Sequence, residues 1–404
     1  MTFDPSTFDP HAPDFLADPY PTYAQFRAQV PAYRVTFKIG PYTLYDSTWV
    51  FRFADVKTVL DGTDRFLKNQ KPQHVPPPPF DVLQNMPNGI FSLDPPRHTV
   101  LRPILDTLFA QAIDRIDAVA QAKAKSLLDA ARASRRIEFV SAYAMPLPSG
   151  VLQSVLGISD GDWAGIEQWV TGVVTGHDYT QSRGTQAMAG TCALALGAYF
   201  QALMRGCPMS AAKGQMVDLM TGKAVAQGME REEVQMTLVN LAVAGYMSTV
   251  FLVATGTLNL LRNPTQLELL RKRPDLMGGA IEEMLRFDAP AQLADRYCAS
   301  DTEIAGVKLK AGDQVTAVLG SANRDSDVFP DGDKFDITRE SKVEHVGFGD
   351  GIHYCLGAPL VRKVGPVAFR MLLEGLPNMR LDGIPQWQTD PYLLSVANLP
   401  LAIG

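Results

Sequence analysis

Between Val234 and Leu261 the sequence carries no charged side chain. As a helix, a run of this length is able to cross a bilayer. However, Gln235, Thr237, Asn240, Ser248, Thr249, Thr255 and Asn259 interrupt it along its whole extent. A helix without charge on any face and with amides and hydroxyls throughout is expected at the centre of a large core. The acids of Met229-Glu-Arg-Glu-Glu233 suit its N-terminus. At about 1.5 Å per residue it runs on the order of 40 Å, enough to cross a whole domain. The rest of the chain must therefore wrap around it.

The chain has 404 residues, ample for such a core; length alone allows two or three domains. The formal net charge is −6 and no basic tract stands out, so a nucleic-acid partner is not expected. Met1 to Tyr20 is rich in Asp and Pro and has no apolar signal-peptide core. Cys192, Cys207, Cys298 and Cys355 form neither a disulfide framework nor a paired metal spacing. A cytoplasmic protein that spans no membrane is expected.

In order, the pattern predicts an extended arm of about 13 residues and a short helix within 14–30, with a hairpin over 33–52 around Gly40-Pro41 and a helix from Phe53 to Leu60. Residues 68–90, with Pro76 to Pro79, are irregular, and a stretch this long without periodicity is usually functional. Asp94 caps a helix that begins with Pro95 in its first turn. Helices follow near 112–132, 145–156, 160–175, 187–205 and 215–227. After the long helix come a helix over 265–287, β-rich sequence to Leu319, and a final hairpin over Pro391 to Ile403. No internal repeat is present.

The strongest chemical signal is Phe348-Gly-Asp-Gly-Ile-His-Tyr-Cys-Leu-Gly357. A glycine-dense loop runs into Cys355, and Leu356, Leu360, Val364, Val367 and Met371 then recur at helical spacing. Cys355 is thus placed at the head of a helix, where free N–H groups and the helix dipole favour a thiolate, a good metal ligand. Gly349 and Gly351 permit a tight turn and close approach to a flat ligand. His353 offers a donor to that ligand's rim. A lone cysteine in a turn is more often simply buried.

The whole stretch matches Phe-Gly-x-Gly-x-His-x-Cys-x-Gly, and here the chain resembles the cytochrome P450 family. The resemblance extends over about residues 14 to 403 with the motifs in family order. It implies a single domain over residues 1–404, mainly α with a small β-rich region. In that fold b-type haem (iron protoporphyrin IX) lies between the long central helix and the cysteine-ligand helix. Cys355 is then the iron ligand, a thiolate that pushes electron density onto the metal. Phe348, His353 and Gly357 belong to the same motif. His98 and Arg102, on one helix face within Asp94-Pro-Pro-x-His-x-x-x-Arg102, and Arg296 are implied to bind the propionates. Ala244 lies over the haem, and Glu283-x-x-Arg286 is a buried structural pair on the cysteine side. Alone, each of these has a plainer reading as a surface charge.

Ala244-Gly-Tyr-Met-Ser-Thr249 departs from the resembled family. The family's acid is Met247 here, its threonine is Ser248, and Thr249 stands beside it. Ser248 and Thr249 are the candidate catalytic hydroxyls, but Met247 cannot titrate. Candidate substrate contacts are Phe80, Asn240, Val243 and Ala291; Asn240 reads equally as a satisfied buried amide. The resemblance implies a monooxygenase that hydroxylates a mostly apolar small molecule with O2. Electrons come from a separate ferredoxin or flavodoxin with its NAD(P)H reductase, since no dinucleotide fingerprint is present. A monomer is expected. The missing acid leaves open a peroxide-using or oxidative-coupling variant, and, in another class, a haem-thiolate sensor without turnover.

Overall fold

The computed structural model describes residues 3–39, 42–69, 89–176, 182–206, 211–388 and 390–403. Phe80, Cys207 and the Gly40-Pro41 hairpin tip lie outside these residues. The uncharged run forms one helix, Arg231–Arg262, opened by a capping box between Glu230 and Glu233. By length and composition it is, among the described residues, one of two helices able to cross a membrane, the other being Gly184–Met204. It is the core helix: the helices Pro146–Leu156, Asp160–Thr175, Arg183–Met204, Met277–Phe287 and Ala358–Gly375 all pack on it. Gly256 explains how closely they do so. A Cβ there would lie 2.7 Å from Met284 Sδ and 2.8 Å from Phe369 Cζ, so any larger residue would force these side chains of the two neighbouring helices to shift.

The β-rich region is a five-stranded sheet in the order Ala32–Ile39, Tyr42–Val50, Gln314–Val318, Leu293–Cys298, Phe66–Leu67. The second and third of these run parallel and the other pairs antiparallel. A second apolar cluster beneath this sheet holds Phe53, Val56 and Val59 of the helix Phe53–Asp61. That helix, in turn, lies against the turn Gly351–His353.

Several elements differ from expectation. The opening helix is two, Pro13–Ala17 and Tyr20–Gln29, because Asp18 before Pro19 is held extended. The first residues are not an extended arm. They make a short turn, Pro5–Thr7, and set Phe3 and Phe8 edge-on to Phe26, centroids 4.8 and 5.0 Å apart. The helix expected over 265–287 breaks at Pro274 into Pro264–Lys272 and Met277–Phe287. Asp94 caps no helix; its carboxylate instead accepts from the backbone N–H groups of Lys68 and Asn69. The last two strands do not pair with each other. Val396–Asn398 pairs with Gln386–Trp387, while Pro400–Ala402 lies between Arg136–Glu138 and Arg380–Leu381.

Candidate functional site

The helix Ala358–Gly375 begins three residues after Cys355, with Gly357 as its cap, so the cysteine stands at the helix head as its sequence predicts. The loop in front of it is pinned from several sides. Cys355 N–H donates to the Phe348 carbonyl at 2.9 Å. Lys57 is ion-paired to Asp350, which also accepts from Gly351 N–H at 2.7 Å. Gly349 and Gly351 take φ of +71° and +66°, a region that glycine alone enters freely. At Gly351 a Cβ would also strike the Leu60 carbonyl oxygen at 2.7 Å. The glycine there is therefore required by the neighbouring helix.

The Cys355 thiol is not favoured as a thiolate in the chain by itself. Burial pushes its pKa up, and the N–H groups of Gly357 and Ala358 pull it back only in part. A cation bonded to sulfur would reverse the balance, since a coordinating thiol is deprotonated outright. Behind the loop, Phe348 is buried with its ring 6.0 Å from Tyr354 and 4.9 Å from the Arg362 guanidinium. Arg362 in turn donates to Glu282 at 2.8 and 2.9 Å and to Tyr354 Oη at 2.9 Å. This clamp has no counterpart in the motif and was not legible in the sequence.

Around the loop the fold gathers positive and ionisable groups from three separate segments. His98 and His353 stack with ring centroids 4.4 Å apart. His98 is 1% exposed and neither ring nitrogen has a hydrogen-bond partner. Burial, then the neighbouring His353 and Arg102, push its pKa down to about 4. His353 Nε2 is equally unpartnered, 3.9 Å from Asp94 Oδ1 and too far to bond. Arg102 donates to the Ile352 carbonyl at 3.1 Å and to Asp106. Arg296 is 4% exposed and donates to its own neighbour's carbonyl, Asp295 O. Buried nitrogens without acceptors are rare in folded proteins. This set fits a group bearing two carboxylates, and Cys355 beside it fits that group's metal. The residues present therefore suit the b-type haem implied by the motif.

On the long helix Asn240, Ala244 and Ser248, four apart, share one face. Ala244 is exposed between half-buried neighbours, Val243 and Gly245, which marks open space beside it. Ser248 Oγ donates to the Ala244 carbonyl at 2.8 Å. Thr249 belongs to another face: it is 4% exposed, and its hydroxyl reaches Gly245 O at 3.4 Å. Met247 and Val243 are half-buried against the core. Asn240 Oδ1 is buried without a partner and has the Gly89 backbone pressed against it. Ala291 is half-buried and bridged to Leu393.

On the cysteine side, Glu283 and Arg286 form the buried pair that the spacing implied, 2.7 Å apart at 3% and 2% side-chain exposure.

A family model described as cytochrome P450 matches residues 271–374. The chain is 30% identical to a biotin biosynthesis cytochrome P450 of Bacillus subtilis (strain 168) over 380 residues, 94% of each chain. It is 33% identical to the cytochrome P450 monooxygenase PikC of Streptomyces venezuelae over 396 residues, covering 96% of this chain and 92% of PikC. The solved structure of P450BioI in complex with acyl carrier protein ligated to hexadec-9Z-enoic acid superposes with a TM-score of 0.86 at 29% identity. That match covers 97% of this chain and 100% of the other.

Proposed function

This chain belongs to the cytochrome P450 family, whose members are haem b enzymes, and we propose that it hydroxylates a mostly apolar small molecule with O2. Electrons come from a separate ferredoxin or flavodoxin. The protein acts as a cytoplasmic monomer built from one domain. The observation that carries the reading is the unpartnered ring nitrogens of His98 and His353, gathered with the buried Arg296 guanidinium around the loop that leads to Cys355 at a helix head. With haem bound, thiolate-ligated iron supplies oxygen activation. The chain's own residues do the rest. Cys355 is the ligand, and His98, Arg102, Arg296 and His353 hold the propionates by charge-assisted hydrogen bonds. Phe348 and Gly357 support the ligand loop from behind and below.

Ser248, rather than Thr249, is the distal hydroxyl, because it shares the face of Ala244 while Thr249 is turned into the protein. Its proton is held at the Ala244 carbonyl and is free to turn outward. Val243, Asn240 and Ala291 contact substrate, with the Asn240 amide as the polar point of the pocket. The acyl chain in the P450BioI complex supports an apolar substrate class. Met247 favours a second reading, in which peroxide rather than O2 with a redox partner is the oxidant used. The deciding experiment compares the reduced carbonyl spectrum of the wild type and Cys355→Ala. The wild type shows the thiolate-type band and the variant loses it; a variant that keeps the band removes Cys355 from iron. Product formed with a surrogate redox pair separates the enzyme from a sensor, and product formed with peroxide alone separates the two oxidants.

A further inference from the structure

The long helix has few polar ties to its neighbours. Between Thr237, whose hydroxyl accepts from Ile90 N–H, and Asn259, bonded to Asp288, one side chain among the described residues makes a hydrogen bond to another element. It is Tyr246, whose Oη donates to Glu167 Oε1 of the helix Asp160–Thr175 at 3.1 Å. The tyrosine is 1% exposed and Glu167 is half-buried. Burial, and then the charge of Glu167, push the phenol's pKa up, so it keeps its proton and stays the donor.

The stretch around Tyr246 is pliable. Ser248 Oγ bonds the Ala244 carbonyl at 2.8 Å, and Thr249 Oγ1 reaches the next carbonyl, Gly245 O, at 3.4 Å. Hydroxyls that share a helix's own carbonyls bend it, and Gly245 adds backbone freedom. The direction in which this stretch faces is therefore set by what grips it from outside. Tyr246 and Ser248 point about 200° away from each other on the helix. The phenol thus anchors the helix from the side opposite the open face.

Glu167 is itself a fixed post. One turn before it, Trp163 Nε1 donates to the buried Ser149 Oγ of the helix Pro146–Leu156 at 2.8 Å. The same helix also lies close against Arg183–Met204, where a Cβ at Gly172 would stand 2.5 Å from Cys192 Sγ.

We propose that Tyr246 is a positioning residue, its bond to Glu167 fixing the stretch Ala244–Thr249 from behind and so setting the direction of the Ser248 hydroxyl. The inference rests on the reading of Ser248 as the distal hydroxyl.

The test reads the C–O stretch of carbon monoxide bound to the reduced holoenzyme, which falls in frequency when a nearby hydroxyl donates to the ligand. Ser248→Ala should move this band up. Tyr246→Phe keeps the ring and removes the bond, and Glu167→Leu removes the bond from the other helix. A hydrogen bond to a charged group favours one orientation roughly tenfold or more. Each of these two variants should therefore turn the single wild-type band into two of comparable weight, one of them at the Ser248→Ala position. Glu167→Gln keeps an acceptor and should keep the wild-type band. Added to Ser248→Ala, Tyr246→Phe should change nothing further, because it acts through that hydroxyl. If Tyr246→Phe and Glu167→Leu both keep the wild-type band while Ser248→Ala moves it, the inference is overturned and the role of Ser248 stands. A further shift in the double variant also overturns it. An unmoved band in Ser248→Ala removes that role and the inference together.

Discussion

Glu283 and Arg286 face each other through two hydrogen bonds, 2.7 and 2.8 Å long, inside the protein. The remaining donors of Arg286 go to the carbonyls of Asn323, Gly332 and Lys334, so the pair ties the helix Met277–Phe287 to the chain leading to the cysteine loop. Glu283 also accepts from Asp336 N–H and Arg339. Removing the carboxylate leaves a buried guanidinium uncompensated. Glu283→Ala is therefore expected to lower the unfolding free energy by about 3–5 kcal/mol. Denaturant titration of the holoprotein checks this, and a loss near that of an exposed pair would show that the carbonyls alone suffice.

The two adjacent hydroxyls of the long helix should behave differently. Ser248→Ala is expected to cut product formed per electron pair by on the order of a hundredfold, the lower end for a positioned proton-transfer group. Thr249→Val should leave that ratio unchanged, because its hydroxyl is buried on another face. Met247→Asp should raise the ratio by restoring a titratable side chain one residue before Ser248. Stopped consumption assays that count NAD(P)H against product measure all three.

A pH effect follows from the clamp behind the cysteine loop. Burial opposes ionisation of Glu282, but Arg362 and His345 outweigh it and hold the carboxyl down to about 2. The unfolded carboxyl titrates near 4.5. Glu282 thus adds stability above pH 4.5 that is lost as the pH falls towards 2. Its side chain is 39% exposed, so solvent screens the effect and the contribution is small. Melting curves over this range should fall less steeply for Glu282→Gln than for the wild type.

Two glycines of the loop separate strain from collision. Gly349→Ala meets no atom nearer than 3.9 Å and suffers only the left-handed backbone cost, about 1–2 kcal/mol. Gly351→Ala suffers that cost and also drives a methyl into the Leu60 carbonyl, so its melting point should drop further. Calorimetry on the pair of variants orders them.

Much of this architecture was legible because it is written locally. An uncharged run predicts one buried helix, and Gly349-x-Gly351 before Cys355 predicts a turn feeding a helix head. Breaks at Pro19 and Pro274 were harder to place, since apolar spacing continues across both while the missing N–H stops the helix. Asp94 misled for a similar reason. An acid before Pro-Pro reads as a cap, but its partners are the backbone N–H groups of Lys68 and Asn69, distant in sequence.

By itself, then, the sequence determined the central helix, the cysteine at a helix head and the family to which both belong, because each depends on residues within a few turns of one another. Only the tertiary structure decided which charges meet. Helix packing turns Ser248 outward and Thr249 inward, and the stacking of His98 on His353 joins segments far apart in the chain. Such meetings are fixed by burial and register over long separations, which no local spacing encodes.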